Sequence, residues 1–209
     1  MTMGENLQSA RDTIVSAIRE MQKGRSAPSV VAIDGESGAG KSTIAPLIAE
    51  KTDAALIHTD DFYAGHIPDQ DWDEFSIQER YENVLDWARI REQVIEPLRS
   101  GRPARWHAFD FSSGFREDGT FGMEIQGKER QPAEVILLEG AYAASPKLSD
   151  LIDLSVLLDV ARSKRHARLR DREDFAFRRA WHERWDEVEV YYRREVKPKS
   201  SYDLVIELE

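Results

Sequence analysis

Apolar residues recur at three- and four-residue spacing from Asn6 to Lys23, where Leu7, Ala10, Ile14, Ala17, Ile18 and Met21 share one face of an expected amphipathic helix. Gly24 to Pro28 breaks that pattern. Ser29 to Asp34 is short and almost continuously apolar, as a strand buried on both faces of a parallel sheet must be. Similar runs at Ala54 to His58, Val135 to Leu138 and Leu154 to Leu158 predict further strands, and Asp203 to Ile206 a last one. Helices are expected over Lys41 to Lys51, Ser163 to Arg172 and Ala176 to Glu195. Another starts at an Asp86 N-cap, carries Trp87, Ile90, Val94 and Leu98 on one face, and stops at Gly101. Phe177, Trp181, Trp185, Val188 and Tyr192 form a helical stripe that reads as core. Strands alternating with helices imply an α/β fold, a parallel sheet with helices on both faces. Two stretches lack clear periodicity. Ala64 to Tyr81 is expected to be a loop or a loosely helical insertion. Arg105 to Phe111 and Phe121 to Gln126 are expected to pair as a hairpin around the turn-rich Ser112 to Gly119.

The turn after the first strand, Gly35-Glu36-Ser37-Gly38-Ala39-Gly40-Lys41-Ser42, fits G-x-x-x-x-G-K-[ST] at every fixed position, and it lies between an expected strand and an expected helix. In such a loop glycines let successive backbone N–H groups turn toward phosphate oxygens, and the following helix adds its positive end. With Thr43 next in line, these residues are the candidate nucleotide site. Lys41 is placed to bridge the β and γ phosphates, and the Ser42 hydroxyl to hold Mg²⁺.

Phosphoryl transfer also needs carboxylates at strand ends, where open parallel sheets bind ligands. Asp60 and Asp61 follow the second strand, and either could take the proton of an attacking hydroxyl. Glu139 ends the run Val135 to Leu138 and suits a magnesium-supporting acid. Asp159 is the weakest of the set and reads as a helix cap. Arg165, Arg168 and Arg172 are spaced i, i+3, i+7 and share a helical face. Such a face either meets phosphates or forms surface pairs with Asp171, Glu173 and Asp174.

Charge sharpens this picture. The chain of 209 residues carries a net charge of −10, which argues against nucleic acid as a partner, yet places six basic residues between Arg162 and Arg172. A compact triphosphate suits that patch. With no cysteine, disulfides, thiolate metal sites and a cysteine nucleophile are excluded, and the five histidines lack close ligand spacing. No apolar run approaches the roughly 20 residues of a membrane span, and the start of the chain does not read as a secretory signal, so a cytoplasmic address is expected. A homo-oligomer is left open. The only asparagines are Asn6 and Asn83, so there is no Asn-Lys-x-Asp guanine motif, and no Leu-Ser-Gly-Gly transporter signature occurs.

Four blocks resemble the uridine kinase family, close to phosphoribulokinase and bacterial pantothenate kinase among P-loop kinases. They are Ile33-Asp34-Gly35 running into Ser37 to Thr43; Asp60-Asp61-Phe62-Tyr63; Leu138-Glu139-Gly140; and the Arg165, Arg168, Arg172 series. The tail from Val196-Lys197-Pro198-Lys199 to Tyr202-Asp203-Leu204-Val205-Ile206 is also similar. The resemblance implies a P-loop NTPase fold with a single kinase domain over 1–209, an acceptor-site insertion at 64–130 and an arginine lid at 162–180. It implies ATP and Mg²⁺ as cofactors and transfer of the γ-phosphoryl group to a small-molecule hydroxyl, a nucleoside before pantothenate-like or sugar alcohols. Asp60 would be the base, also near the metal held by Ser42 and Glu139; Lys41, Arg165 and Arg168 would assist transfer, and Arg168 and Arg172 would close on ATP. Asp61, Tyr63, Phe109 and Asp110 would face the acceptor. A departure falls here. Family members that phosphorylate uridine carry Tyr-Asp-Phe and then His, where this chain has Phe109-Asp110-Phe111 and then Ser112-Ser113-Gly114. A base-reading hydroxyl and imidazole are therefore missing. The competing class is a nucleotide-binding ATPase or switch that phosphorylates no acceptor.

Overall fold

A computed structural model describes residues 3–114, 116–172 and 175–208, with side chains throughout except at 3–5 and 171–182. Five strands form one parallel sheet in the order β2-β5-β1-β6-β7: β1 (Ser29–Asp34), β2 (Ala55–His58), β5 (Val135–Glu139), β6 (Leu154–Val160) and β7 (Leu204–Leu208). β3 (Ala104–Trp106) and β4 (Lys128–Arg130) form a separate antiparallel ribbon. Side chains alternate across the sheet. Val31 and Ile33 pack with Ile14 and Ile18 of α1 (Met3–Gln22) and Ile44 and Ile48 of α2 (Lys41–Thr52). Val30 and Ala32 face the other way, toward a cluster that holds Trp185 and Val188. Both faces are covered, as the apolar runs require.

The segment between β2 and β5 is more ordered than its sequence suggested. It holds α3 (Asp71–Glu74) and α4 (Ile77–Asn83), and Ser76 with Glu79 makes a reciprocal capping box at the start of α4. That Ser-x-x-Glu signal lies within Ala64 to Tyr81 and was readable. Asp86 does cap α5 (Trp87–Arg89) by accepting from the Arg89 N–H. The helix then runs through a π-helical stretch at Ile90–Ile95 into α6 (Glu96–Arg99). The expected hairpin is corrected in its pairing. Arg105 faces Glu129 in the ribbon, and the Phe121 to Gln126 arm meets the first arm at the Phe109–Met123 bridge, at His107 beside the Glu124 carbonyl, and where the Phe109 and Phe121 rings lie 5.0 Å apart. Polar turns at both Asp110 and Asp118 absorb the residues between.

At the C-terminal side, α7 (Arg162–Arg172) and α8 (Phe175–Tyr191) lead through a second π-helical stretch, Tyr192–Val196, to β7. Trp185, Val188 and Tyr192 are buried as the stripe predicts, whereas Phe177 and Trp181 lie outside the described side chains. Asp159 is not a helix cap. It lies within β6 and pairs with Lys199 at 2.7 Å. Among the described residues no helix is long and apolar enough to cross a membrane.

Candidate active site

Chain order reverses around β1, which has β5 and β6 as neighbours, and the crevice beyond its C-terminal end is where open parallel sheets bind ligands. The Gly35 to Ser42 loop leaves β1 at that point. Gly38 and Gly40 hold φ of 80° and 95°, conformations that favour glycine. A Cβ on Gly38 would lie 2.7 Å from the Arg165 carbonyl oxygen, so the loop is pressed directly onto α7. Lys41 is buried, and its ammonium donates to the carbonyls of Gly35 at 2.7 Å and Glu36 at 3.2 Å. Gly40 caps α2 with no side-chain acceptor, which leaves the helix's first N–H groups for an anion.

Asp34 anchors the loop from below. Its carboxylate, 1% exposed, accepts from the Gly35 N–H at 2.7 Å, the hydroxyls of Tyr192 and Tyr202 at 2.7 Å each, and the Ala144 N–H at 3.2 Å. The C-terminal elements are thus tied to the phosphate loop through one carboxylate. Asp34→Ala leaves buried donors unsatisfied, and chemical denaturation should show a loss of about 3 kcal/mol or more.

Strand register brings the acids together. His58 on β2 and Ile33 on β1 both lie opposite Glu139 of β5. Glu139 is buried; one oxygen bonds His58 Nδ1 and the other lies 3.5 Å from Ser42 Oγ. That hydrogen bond raises the His58 pKa, with burial opposing it. Ser42 and Glu139 offer hard oxygen donors suited to Mg²⁺. Among the described residues no group of three or more His, Asp or Glu side chains could cage a metal, and a magnesium ion in a phosphate loop draws its other ligands from phosphate and water.

Asp60 and Asp61 part company. Asp61 is buried, with one oxygen 2.8 Å from the Lys128 ammonium and the other accepting from Trp106 Nε1 at 2.8 Å. Nothing among the described residues bonds the Asp60 carboxylate. Surrounding protein pushes the Asp60 pKa up and Lys41 pulls it down; because the residue remains exposed, water limits the rise.

The arginines separate as well. Arg165 is 3% exposed, donates to the Ser37 carbonyl at 2.9 Å and pairs with Glu36 at 3.1 Å and Glu189 at 3.7 Å. It braces the loop from behind. Arg168 is half-buried and reaches the Gly38 carbonyl at 3.2 Å. The side chains of Arg172 and of the proposed partners Asp171, Glu173 and Asp174 lie outside the described ones.

The four residues expected at the acceptor are all engaged within the protein. Asp61 holds Lys128 and Trp106. Tyr63 and Phe109 are buried in an aromatic cluster, their rings 4.9 Å apart, with Trp185 5.4 Å from Tyr63. Asp110 accepts from the backbone of Ser112 and Ser113 and shapes the turn there.

A P-loop between β1 and α2, acids on adjoining strand ends and arginines from the helix after β6 now stand together, and the comparisons agree with them. The model of the phosphoribulokinase / uridine kinase family matches residues 30–178. The chain belongs to that family. As a member it is a P-loop kinase with an α/β P-loop NTPase fold. A uridine kinase of Latilactobacillus sakei is 28% identical over 186 residues, which cover 85% of this chain and 80% of that protein. The structure of a possible uridine kinase from Bacillus stearothermophilus superposes with a TM-score of 0.64 at 18% identity, covering 99% of this chain and all of that one. A D-glycerate 3-kinase from Cryptococcus neoformans gives 0.60 at 13% identity, over 97% and 95% of the two chains. These structural likenesses speak for the fold alone.

Sequence reasoning passed over His58, Lys128, Trp106 and Glu189. His58 was legible from the register of two strand ends. Lys128 and Trp106 sit on the ribbon whose pairing was misplaced, and no local signal marks Glu189, which reaches Ser37 from 152 positions along the chain.

Proposed function

We propose that this kinase transfers the γ-phosphoryl group of ATP to a hydroxyl of a small molecule, with a nucleoside as the first class of acceptor and sugar-like or pantothenate-like alcohols behind it. The observation that carries the reading is the unengaged carboxylate of Asp60, on the same sheet edge as Lys41, Ser42 and Glu139. The family match and the uridine kinase relative support the nucleoside.

The acceptor oxygen attacks the γ phosphorus and its proton passes to Asp60. The bond from the γ phosphorus to the β–γ bridging oxygen breaks, and ADP leaves. Lys41 turns from the Gly35 and Glu36 carbonyls to the phosphoryl oxygens, and Arg168 steadies the same charge. Arg165 holds the loop that presents the N–H groups, and Arg172 belongs to the proposed lid. Ser42 and Glu139, with Asp60 close by, would hold Mg²⁺, which neutralises charge on the β and γ phosphates when bound. Asp61, Tyr63, Phe109 and Asp110 shape the acceptor side from within the protein.

ADP release against a panel of nucleosides, pantothenate, sugars and small alcohols tests this reading. At least one acceptor should raise turnover above the water background, EDTA should abolish the gain, and added Mg²⁺ should restore it. Turnover that no acceptor increases would assign the chain to the ATPase or switch class instead.

A further inference from the structure

Strand alternation carries two polar residues to one place. In a parallel ladder paired residues point the same way, and every second residue returns to the same face. Leu56 of β2 pairs with Leu137 of β5, and both pack on the face that holds Ile44 and Ile48 of α2. Two positions on, His58 pairs with Glu139 and projects to that same face, where α2 begins with Lys41 and Ser42. Each is the last residue of its strand. The two apolar runs therefore end on an imidazole and a carboxylate beside the start of α2.

The two oxygens of Glu139 have unequal partners. One bonds His58 Nδ1, and the other lies 3.5 Å from Ser42 Oγ, longer than an ordinary hydrogen bond. The Glu139 side chain is 4% exposed, so water does little to hold it, whereas the His58 ring is 37% exposed. Of the other acids near the ring, Asp61 has both oxygens taken by Lys128 and Trp106, and Asp60 makes no bond to it. An ionised carboxylate only accepts, so Nδ1 carries the hydrogen in this contact whether the ring is neutral or charged. Magnesium prefers oxygen donors, and the route from His58 to a metal runs through the carboxylate. We propose that His58 is a positioning residue for the magnesium site: its Nδ1–H fixes one oxygen of Glu139 and so turns the other toward Ser42. This inference rests on the kinase reading above. Without that donor the carboxylate keeps only a distant hydroxyl as partner, and its terminal torsion, which is broad, no longer sets where the second oxygen points. A ring that orients a metal-holding carboxylate adds to metal affinity while touching neither nucleotide nor acceptor.

His58→Ala removes the donor, and His58→Asn returns it, because an asparagine amide reaches about as far as Nδ1 of the ring. Mn²⁺ replaces Mg²⁺ as a paramagnetic probe, titrated into the full chain kept in excess over a non-hydrolysable ATP analogue, with free Mn²⁺ read by electron paramagnetic resonance. The dissociation constant for Mn²⁺ should rise about tenfold in His58→Ala and return to within about threefold of the parent value in His58→Asn. Affinity of both variants for the analogue in EDTA should match that of the parent. In turnover, His58→Ala should need more Mg²⁺ for half-maximal rate, with kcat at saturating Mg²⁺ and KM for the acceptor close to the parent values. If the ring served only to join the edge strand β2 to β5, its loss would displace Asp60 just beyond β2, and kcat would stay low at saturating Mg²⁺. That result overturns the proposal, as does an unchanged Mn²⁺ affinity in His58→Ala or an asparagine variant no better than the alanine one. Each of these outcomes leaves the kinase reading standing. A parent chain that fails to bind the analogue overturns that reading and this inference with it.

Discussion

Asp60→Asn should lower acceptor-dependent ADP release by about 10² to 10⁴-fold, the usual contribution of a positioned general base, while leaving the affinity for ATP close to that of the parent. The amide keeps the shape of the side chain and removes its capacity to take a proton. Asp61→Asn supplies the contrast. Its carboxylate holds Lys128 and Trp106, so the change leaves a half-buried ammonium with only the more distant Glu124, at 4.0 Å, as counter-charge and should cost about 1–3 kcal/mol of stability, visible as a lower melting temperature with kcat changed far less. Neighbouring acids of one type would then differ in kind of effect, one on rate and the other on folding. Loss of turnover in Asp61→Asn with retention in Asp60→Asn would reverse the assignment.

The sequence could not make that distinction, for a physical reason. Asp60 and Asp61 sit at consecutive positions of a short 3₁₀ turn, Thr59–Phe62, and which one points to the phosphate loop depends on what the ribbon presents to the other. Lys128 and Trp106 take up Asp61 from 67 and 45 residues away. The shape of the phosphate loop, by contrast, was legible in the sequence, because it lies in local backbone geometry that glycine spacing encodes. The sheet strands were legible too, since burial on both faces leaves no room for polar positions. What escaped was the meaning of the arginine face. Helical spacing correctly put Arg165 and Arg168 on one side of α7, but only packing shows Arg165 enclosed behind the loop and Arg168 half-open beside it. The aromatic residues after Asp61 present the same difficulty. Tyr63 and Phe109 fit a ligand-stacking role by type, and the structure packs both into the core. Polar satisfaction across long sequence separations, as at Asp34 and Glu189, has no sequence periodicity at all.

Gly140→Ala should reduce kcat/KM by about 10²-fold or more, through displacement of the two strand ends that carry the acids. Gly140 has φ of +150°, and a Cβ there would lie 1.8 Å from Thr59 Oγ1, 3.1 Å from Thr59 Cβ and 3.3 Å from Asp60 Oδ1. Thr59 is fully buried, so it cannot swing clear, and β2 and β5 must separate where Glu139 faces His58 and where Asp60 begins its turn. Overpacking of this kind costs about 1–3 kcal/mol, so the melting temperature should fall together with the rate. The two losses have one cause, and a second substitution checks that. Thr59→Ala removes the atom in closest conflict but leaves its Cβ at a tight 3.1 Å; in the Gly140→Ala background it should therefore return part of the stability and part of the rate. Recovery of stability without rate would mean that Gly140 serves Asp60 through its own backbone conformation and not through the room it leaves for Thr59.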